Sequence, residues 1–370
     1  MAYSDIKDPS AYFQTLTYTG NGSHPRNLTN DGNSDLKPDL IWTKNRTDNG
    51  TNNIITSSSF GFDAPNATFE GGSGNDETLN GQISTDSTAK QNNPAATYGY
   101  ISAQLTDGFT AAAGGTNGDA MNANAKEFVA WQWKANGGTT STNTDGDIDS
   151  TVQVNQDAGF SIVKYEPTNT TARNIGHGLG KTPGVIIIRN RQRIENWRVW
   201  HQSIGAGGAI LDNDSAYNTS ATTLVNTVNS TIFNVGSDFS VNGAFPIVAF
   251  CWAEIQGYSK FGKYKGNSST DGTFVYLGFK PRFVMIKSTS AGVGWFMHDT
   301  KRSTTNVIDD YLRADNTGPQ GTSVTINIDF LSNGFKLRYN NNTNFNSHTY
   351  IYMAFAENPF VAGGVPTTAR

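Results

Sequence analysis

Short apolar runs alternate along the chain with turns rich in Asn, Gly, Thr and Asp, and apolar spacing of three and four residues is almost never sustained over a helical length. That pattern predicts strands. Val185-Ile-Ile-Ile188 and Phe283-Val-Met-Ile286 are unbroken apolar runs, as expected of strands buried on both faces. Each is followed, after a polar loop, by an aromatic partner strand: Trp197-Arg-Val-Trp-His201 and Trp295-Phe-Met-His298. Asp-Gly in Thr106-Asp-Gly-Phe-Thr110 and Asn-Gly in Ser332-Asn-Gly-Phe-Lys336 supply the positive φ of tight hairpins. Gly236-Ser-Asp-Phe-Ser240 stands as their counterpart in the middle of the chain, with a looser turn.

These elements recur in one order three times. Each copy opens on a tyrosine strand and polar turn: Tyr18-Thr-Gly-Asn-Gly22, Tyr165-Glu-Pro-Thr-Asn169 and Tyr264-Lys-Gly-Asn-Ser268. Each continues through a proline into an apolar strand that ends in basic or polar residues. These are Lys37-Pro-Asp-Leu-Ile-Trp-Thr-Lys-Asn-Arg46, Thr182-Pro-Gly-Val-Ile-Ile-Ile-Arg-Asn-Arg191 and Lys280-Pro-Arg-Phe-Val-Met-Ile-Lys287. Each closes on an aromatic strand, Phe128-Val-Ala-Trp-Gln-Trp-Lys-Ala135, Val248-Ala-Phe-Cys-Trp-Ala-Glu254 and Ile351-Tyr-Met-Ala-Phe-Ala-Glu357. Proline lacks the N–H that a sheet interior needs, so Pro38, Pro183 and Pro281 belong at strand starts.

The expected fold is therefore all-β, with three tandem antiparallel β-sandwich or jelly-roll-like repeats. Residues 1–137 form the first, enlarged by a loop insert over about 56–97; 138–150 is a polar linker; 151–260 and 261–370 are the second and third. The second and third join with almost no spacer through Glu254 to Tyr264, so they are expected to form a rigid pair while the first orients separately.

Composition narrows the function classes. With 36% hydrophobic and 11% aromatic residues, the chain is too apolar for disorder despite its Asn, Thr and Gly content. Charged residues make up 16% and the net charge is −4, without a basic stripe to track phosphates, so nucleic acid is not an expected partner. Cys251 is alone, which rules out a disulfide framework and permits assembly in a reducing cytoplasm. The opening ten residues carry no apolar signal core and no run approaches membrane-span length, so neither export by that route nor membrane insertion is expected.

Candidate chemistry fails on its missing parts. Gly178-Leu-Gly-Lys-Thr182 has Ile175 where a phosphate-binding loop needs its first glycine, and a proline-led strand follows instead of a helix. Asp145-Gly-Asp-Ile-Asp149 starts like a calcium loop, but Ser150 and Gln156 stand where Gly and Glu are required. There is no nucleophile elbow, and the acids Asp299, Asp309 and Asp310 are not shared between repeats. No catalytic, cofactor-binding or metal-binding residue is assigned. Aromatics are the better binding candidates. Strand alternation sets Trp131 and Trp133 on one core-facing side, whereas Trp197 and Trp200 fall on opposite sides. Trp197, Trp200, His201, Trp295 and His298 form the candidate surface set, able to stack on a sugar ring or seat a neighbouring subunit. The competing reading is that an adjacent repeat covers them.

Four strings carry a family likeness: His177-Gly-Leu-Gly-Lys-Thr-Pro-Gly-Val-Ile-Ile-Ile188, Gly257-Tyr-Ser-Lys-Phe-Gly-Lys-Tyr264, Phe274-Val-Tyr-Leu-Gly-Phe-Lys-Pro-Arg-Phe-Val-Met-Ile-Lys287 and Tyr350-Ile-Tyr-Met-Ala-Phe-Ala-Glu-Asn-Pro-Phe360. Together with Asp8-Pro-Ser-Ala-Tyr-Phe13 they resemble a repeat family of tailed-bacteriophage virion proteins, tail-fibre-like structural proteins of marine and cyanobacterial phages. The resemblance spans almost the whole chain and weakens in the first repeat. It implies a non-enzymatic virion structural protein, a tail fibre or tail appendage subunit, assembled in the host cytoplasm. Implied partners are other tail or capsid proteins, further copies of itself (a trimer favoured) and a host surface glycan or protein receptor. A capsid decoration or head-fibre protein is the alternative, and a polysaccharide-degrading tailspike a more distant one.

Overall fold

A computed structural model describes residues 4, 6–62, 82–91, 98–115, 120–168, 171–219, 223–290 and 292–359, with two short strands at 361–362 and 365–366. The fold is nearly all β, in several antiparallel sheets. Among the described residues helix is confined to short turns such as Phe239–Asn242.

Three segments of the chain order five strands identically. The first sheet runs Phe13–Thr19, Glu127–Trp133, Leu40–Asn45, Asn53–Ser57, Gln82–Ser84. In the second segment the same order is Phe160–Tyr165, Ile247–Ala253, Pro183–Asn190, Arg198–His201, Gly205–Ile210. In the third it is Ser259–Lys265, Thr349–Pro359, Phe279–Ser288, Trp295–Asp299, Asp310–Arg313. Strands are named here by that order: opening, closing, proline-led, fourth and fifth. Register fixes which residues correspond, because Leu40 faces Trp133, Val185 faces Trp252 and Phe283 faces Phe355. The opening tyrosines recur for one reason: Tyr18, Tyr165 and Tyr264 each donate a buried hydroxyl to a backbone carbonyl, of Met121, Val241 and Thr343 at 2.7, 2.8 and 2.7 Å. A buried phenol left without such a partner would forfeit about 1–3 kcal/mol, offsetting much of what its ring contributes by burial.

Both faces of each five-stranded sheet are covered. On the outer face lies a second group of three strands: Arg26–Leu28, Phe109–Ala112 and Tyr100–Gln104 in the first segment, Phe274–Tyr276, Gly334–Leu337 and Ile328–Leu331 in the third. In the second segment Arg173–Gly176, Ile232–Val235 and Val225–Val228 play this part and are continuous with the larger sheet. A separate apolar cluster fills each gap, with Ile41 and Phe109 in the first, Ile186 and Phe233 in the second, and Ile286 and Phe335 in the third.

The inner faces meet in one shared core. Leu40, Trp131, Trp133, Val185, Phe250, Trp252, Phe283, Met285 and Phe355 belong to a single cluster drawn from all three segments. Ring pairs tie the first segment to both others: Trp133 with Trp252 at 5.9 Å and Phe60 with Phe250 at 6.2 Å to the second, and Trp133 with Phe355 at 5.6 Å to the third. Alternation explains the unbroken apolar runs. Val185 and Ile187 enter the shared core while Ile186 and Ile188 enter the segment's own cluster. Each fully buried side chain of this size contributes roughly 1.5–3 kcal/mol of transfer free energy, so both faces matter to stability.

Four expectations change here. The first segment does not stand apart from a rigid pair, because its tryptophans sit in the same core as those of the other two. Within 138–150, Ser141–Asn143 pairs with Ser150–Asn155 as an edge strand. Of the insert over about 56–97, residues 63–81 and 92–97 lie outside the described residues, whereas Gln82–Ser84 is the fifth strand of the first sheet. In the second segment the counterpart of Phe109 and Phe335 is Phe233, which faces Ile175 as they face Leu28 and Val275. Gly236 to Ser240 instead leads into a helical turn, where the Asp238 carboxylate accepts the Ser240 N–H at 2.9 Å.

Candidate functional site

The residues singled out for surface contact are all buried. Trp197 is 0% exposed, Trp200 6%, His201 2%, Trp295 3% and His298 1%, so none stacks on a ligand in this fold. The alternation expected of Trp197 and Trp200 holds, with Trp197 in the shared core and Trp200 in the second segment's own cluster, but both faces are covered. Trp197 and Trp295 are covered in the core shared between segments, whereas Trp200 is covered within the second segment's own cluster.

What these side chains build is a seam, repeated three times around the shared core. At the start of the fourth strand stand Asn53, Trp197 and Trp295: Asn53 and Trp295 face the basic Lys44 and Lys287 of the proline-led strand, and the Arg189 guanidinium lies 5.6 Å from the Trp197 ring centre. The indole Nε1–H of Trp197 donates to the Ser84 carbonyl of the first segment at 2.8 Å. That of Trp295 donates to the Ile210 carbonyl of the second at 2.8 Å. Asn53 donates through Nδ2 to the Arg313 carbonyl of the third at 3.1 Å. Second leans on first, third on second and first on third, so the contact runs head to tail and closes.

Further bonds repeat at each turn of that ring. The backbone N–H groups of Asn53, Trp197 and Trp295 each donate, at 2.9 Å, to a carboxylate just past the fifth strand: Asp86, Asp212 and Asp315. Two residues beyond the basic position, the carbonyls of Arg46, Arg191 and Thr289 accept N–H groups of Gln320, Gln91 and Tyr217, at 2.9, 2.8 and 2.9 Å. Gln320 and Gln91 also accept from the Arg46 and Arg191 guanidinium groups, at 2.8 and 2.7 Å.

The basic residues are buried among carbonyls. Lys44 Nζ donates to Thr51 O; Lys287 Nζ donates to Val293 O at 2.8 Å and to Asp214 O of the second segment at 3.3 Å. Arg189 ties its own loop at Glu195 O and reaches Thr88 O of the first segment at 2.8 Å. Burial lowers the Lys44 and Lys287 ammonium groups to about 8 and the Arg189 guanidinium to about 10. At the boundary of first and third segments, Asp299 Oδ2 accepts from Arg302 Nε at 2.6 Å and from Trp131 Nε1 at 3.1 Å. Burial works against that carboxylate, yet the adjoining Arg302 holds its pKa below the usual value.

His201 and His298 are not counterparts. Register aligns His201 with Asp299, and His298 with Trp200, so the two imidazoles face opposite sides of their sheets. His201 bonds the Tyr352 carbonyl at 3.1 Å through Nε2 and accepts the Ser203 N–H at 3.2 Å through Nδ1, a pairing that requires the neutral ring. Burial lowers it to about 4 and His298 to about 3.

Motifs set aside on sequence grounds are turns here. Gly178 and Gly180 adopt φ of 73° and 66° before the proline-led strand, and Asp147 Oδ2 accepts the Asn174 N–H at 2.7 Å. Among the described residues no three His, Cys, Asp or Glu side chains stand together to hold a metal. The chain's relations follow from comparison of its sequence. A family described as a domain of unknown function, DUF7483, matches residues 8–359. The chain belongs to that family. No curated protein and no solved structure matches it. The family's span covers all three five-stranded sheets, so the ring of seams lies wholly inside one family unit.

The seam residues carry a signal in the sequence. Lys44, Arg189 and Lys287 end the repeated apolar strand, and Asp86, Asp212 and Asp315 sit at one register past the fifth strand. A charge that recurs at the end of a buried strand is a charge with a fixed partner.

Proposed function

We propose that this chain is a virion structural protein of a tailed phage, a tail fibre or tail appendage subunit without enzymatic activity, built from three tandem β-sandwich modules. The observation that carries the structural part is the cyclic seam: one module contact occurs three times and closes within a single chain. Architecture of this kind commits its repeated residues to holding modules together, which suits a rigid building block. The virion and phage part rests on the sequence resemblance.

The ring also bears on assembly. Three modules of one chain already occupy the places that three single-module copies would take in a closed trimer. Association with further copies, or with other tail or capsid proteins, therefore runs through the outer faces and the ends of the modules. Host-surface contact falls to the outward strands and loops, where the segments differ.

Gold-labelled antibody against the protein, applied to purified particles and imaged, tests this reading. Label on tails supports it. Label on the shell replaces it with a capsid decoration, and particles free of the protein overturn it. Release of reducing ends from host polysaccharide by the purified protein would overturn the non-enzymatic part.

A further inference from the structure

The first segment's seam differs from the other two in its chemistry: it sets an amine, a carboxamide and a carboxylate side by side. Lys44 of the proline-led strand and Asn53 of the fourth strand face each other in register, and both are 0% exposed. Directly opposite residues of an antiparallel pair project from one face with Cβ atoms about 5 Å apart, within the reach of a lysine side chain. Asp86, just past the fifth strand, accepts the Asn53 backbone N–H at 2.9 Å and the Asn53 Nδ2 at 3.0 Å, both through Oδ2. The Arg313 and Asn316 carbonyls also accept from Nδ2, at 3.1 and 2.9 Å, so three acceptors fix which end of the carboxamide is nitrogen.

The polar capacity of this cluster is not used up. Asn53 Oδ1 and Asp86 Oδ1 are both closed off from solvent without a hydrogen-bond partner. Lys44 Nζ carries three hydrogens and bonds the Thr51 carbonyl. Burial presses the amine and the acid towards their neutral forms. It lowers Lys44 to about 8 and raises Asp86 above the usual carboxylate range, against the opposing charge of Lys44. The other seams lack the set. Arg189 lies beside the Trp197 ring and Lys287 faces Trp295, and an indole offers no carbonyl carbon to an amine.

We propose that Lys44 and Asn53 join in an intramolecular isopeptide bond, formed by the folded chain itself with Asp86 as the proton carrier. Asp86 takes the ammonium proton, so Lys44 attacks Asn53 Cγ as a free amine. The Nζ–Cγ bond forms and the Cγ–Nδ2 bond breaks. Asp86 gives its proton to the departing nitrogen, which leaves as ammonia, and takes up the one that Nζ sheds. No oxidant or outside reagent enters the balance. The new amide keeps one N–H, which can donate to one of the acceptors that Nδ2 gives up. The tie falls where the first segment lacks the indole that anchors the other two seams. It fastens the proline-led strand to the fourth and, as any cross-link does, removes freedom from the unfolded chain.

The test is mass spectrometry of the purified full chain. The denatured wild type is expected to be lighter than its sequence by the mass of one ammonia. Trypsin should then leave the peptide ending at Arg46 joined to the one starting at Thr47, with fragmentation placing the link at Lys44 and Asn53. Lys44→Arg, which keeps the charge without the nucleophile, and Asn53→Ala should show the full mass and separate peptides. Asp86→Asn should lose the link as well, and a link that survives there overturns the part given to Asp86. A wild type of full mass overturns the bond. So does ammonia loss with the two peptides separate, which marks a cyclic imide instead. The wild-type peptide map decides by itself, so a variant that fails to fold leaves the test intact. Particle labelling is unaffected by any of these results, so the bond and the virion reading fall separately.

Discussion

If the three segments stand as one cooperative body, a cut at one seam must weaken the segment on its far side. Trp295→Ala is the sharpest cut. The indole is 3% exposed in the shared core, and its Nε1–H reaches the second segment's Ile210 carbonyl at 2.8 Å. Truncating a buried aromatic to alanine costs about 3–5 kcal/mol through lost transfer energy and the residual cavity. The orphaned carbonyl adds about 1 kcal/mol more. A total of about 4–6 kcal/mol is a large share of a domain's usual 5–15 kcal/mol. At a urea dependence of about 3 kcal/mol/M it moves the midpoint down by roughly 1–2 M. Trp295→Phe keeps most of the volume and isolates the hydrogen bond, so its cost should be only about 1–3 kcal/mol. The local probe is Cys251, 0% exposed in the second segment's own cluster, with a thiol whose pKa burial pushes up. Pulsed thiol labelling along the urea titration should show Cys251 opening earlier in Trp295→Ala, in step with tryptophan fluorescence. If Cys251 opens at the wild-type urea concentration while the third segment melts first, the segments are independent and the shared core does not couple them.

Three other expectations follow from the same contacts. His201 and His298 are held neutral at about 4 and about 3, below the unfolded value of 6.5, so acid protonates the unfolded chain first. Stability is unaffected above about pH 6.5 and falls below it, by about 2 kcal/mol for each histidine at about pH 5, which urea midpoints between pH 7 and 5 would read. His201→Asn should flatten that slope; an unchanged slope would remove His201 from the account. Asp299→Asn leaves Arg302 buried beside a neutral amide and should cost about 3–5 kcal/mol by thermal or urea unfolding, whereas a cost below 1 kcal/mol would mean that the pair is solvated. Asp212→Ala removes the acceptor of the Trp197 N–H and should cost about 1–3 kcal/mol in the same assay, with matching losses for Asp86→Ala and Asp315→Ala if the seams are equivalent.

Much of the fold is legible along the chain because strand signals are local. Val185 to Ile188 reads as a doubly buried strand, Trp131 and Trp133 read as one face, and each does what its period dictates. The candidate site was misplaced for an equally physical reason. Trp197 and Trp200 sit on opposite faces of one sheet, and the exposure of each face depends on what packs against it from elsewhere in the chain. His201 and His298 each end a short aromatic run in the sequence, yet they differ in register by one residue, which moves a side chain to the opposite face.

By itself, the sequence determined that this is a β protein, that its strands recur in three sets, and which residues start, turn and fill them. Those properties follow from spacing and from what each residue does to its own backbone. Only the tertiary structure decided that the sets share one core, that Asn53, Trp197 and Trp295 close a ring, and that the basic strand ends are buried. Those depend on residues hundreds of positions apart, such as Asn53 and Arg313, meeting across a boundary that no local period encodes.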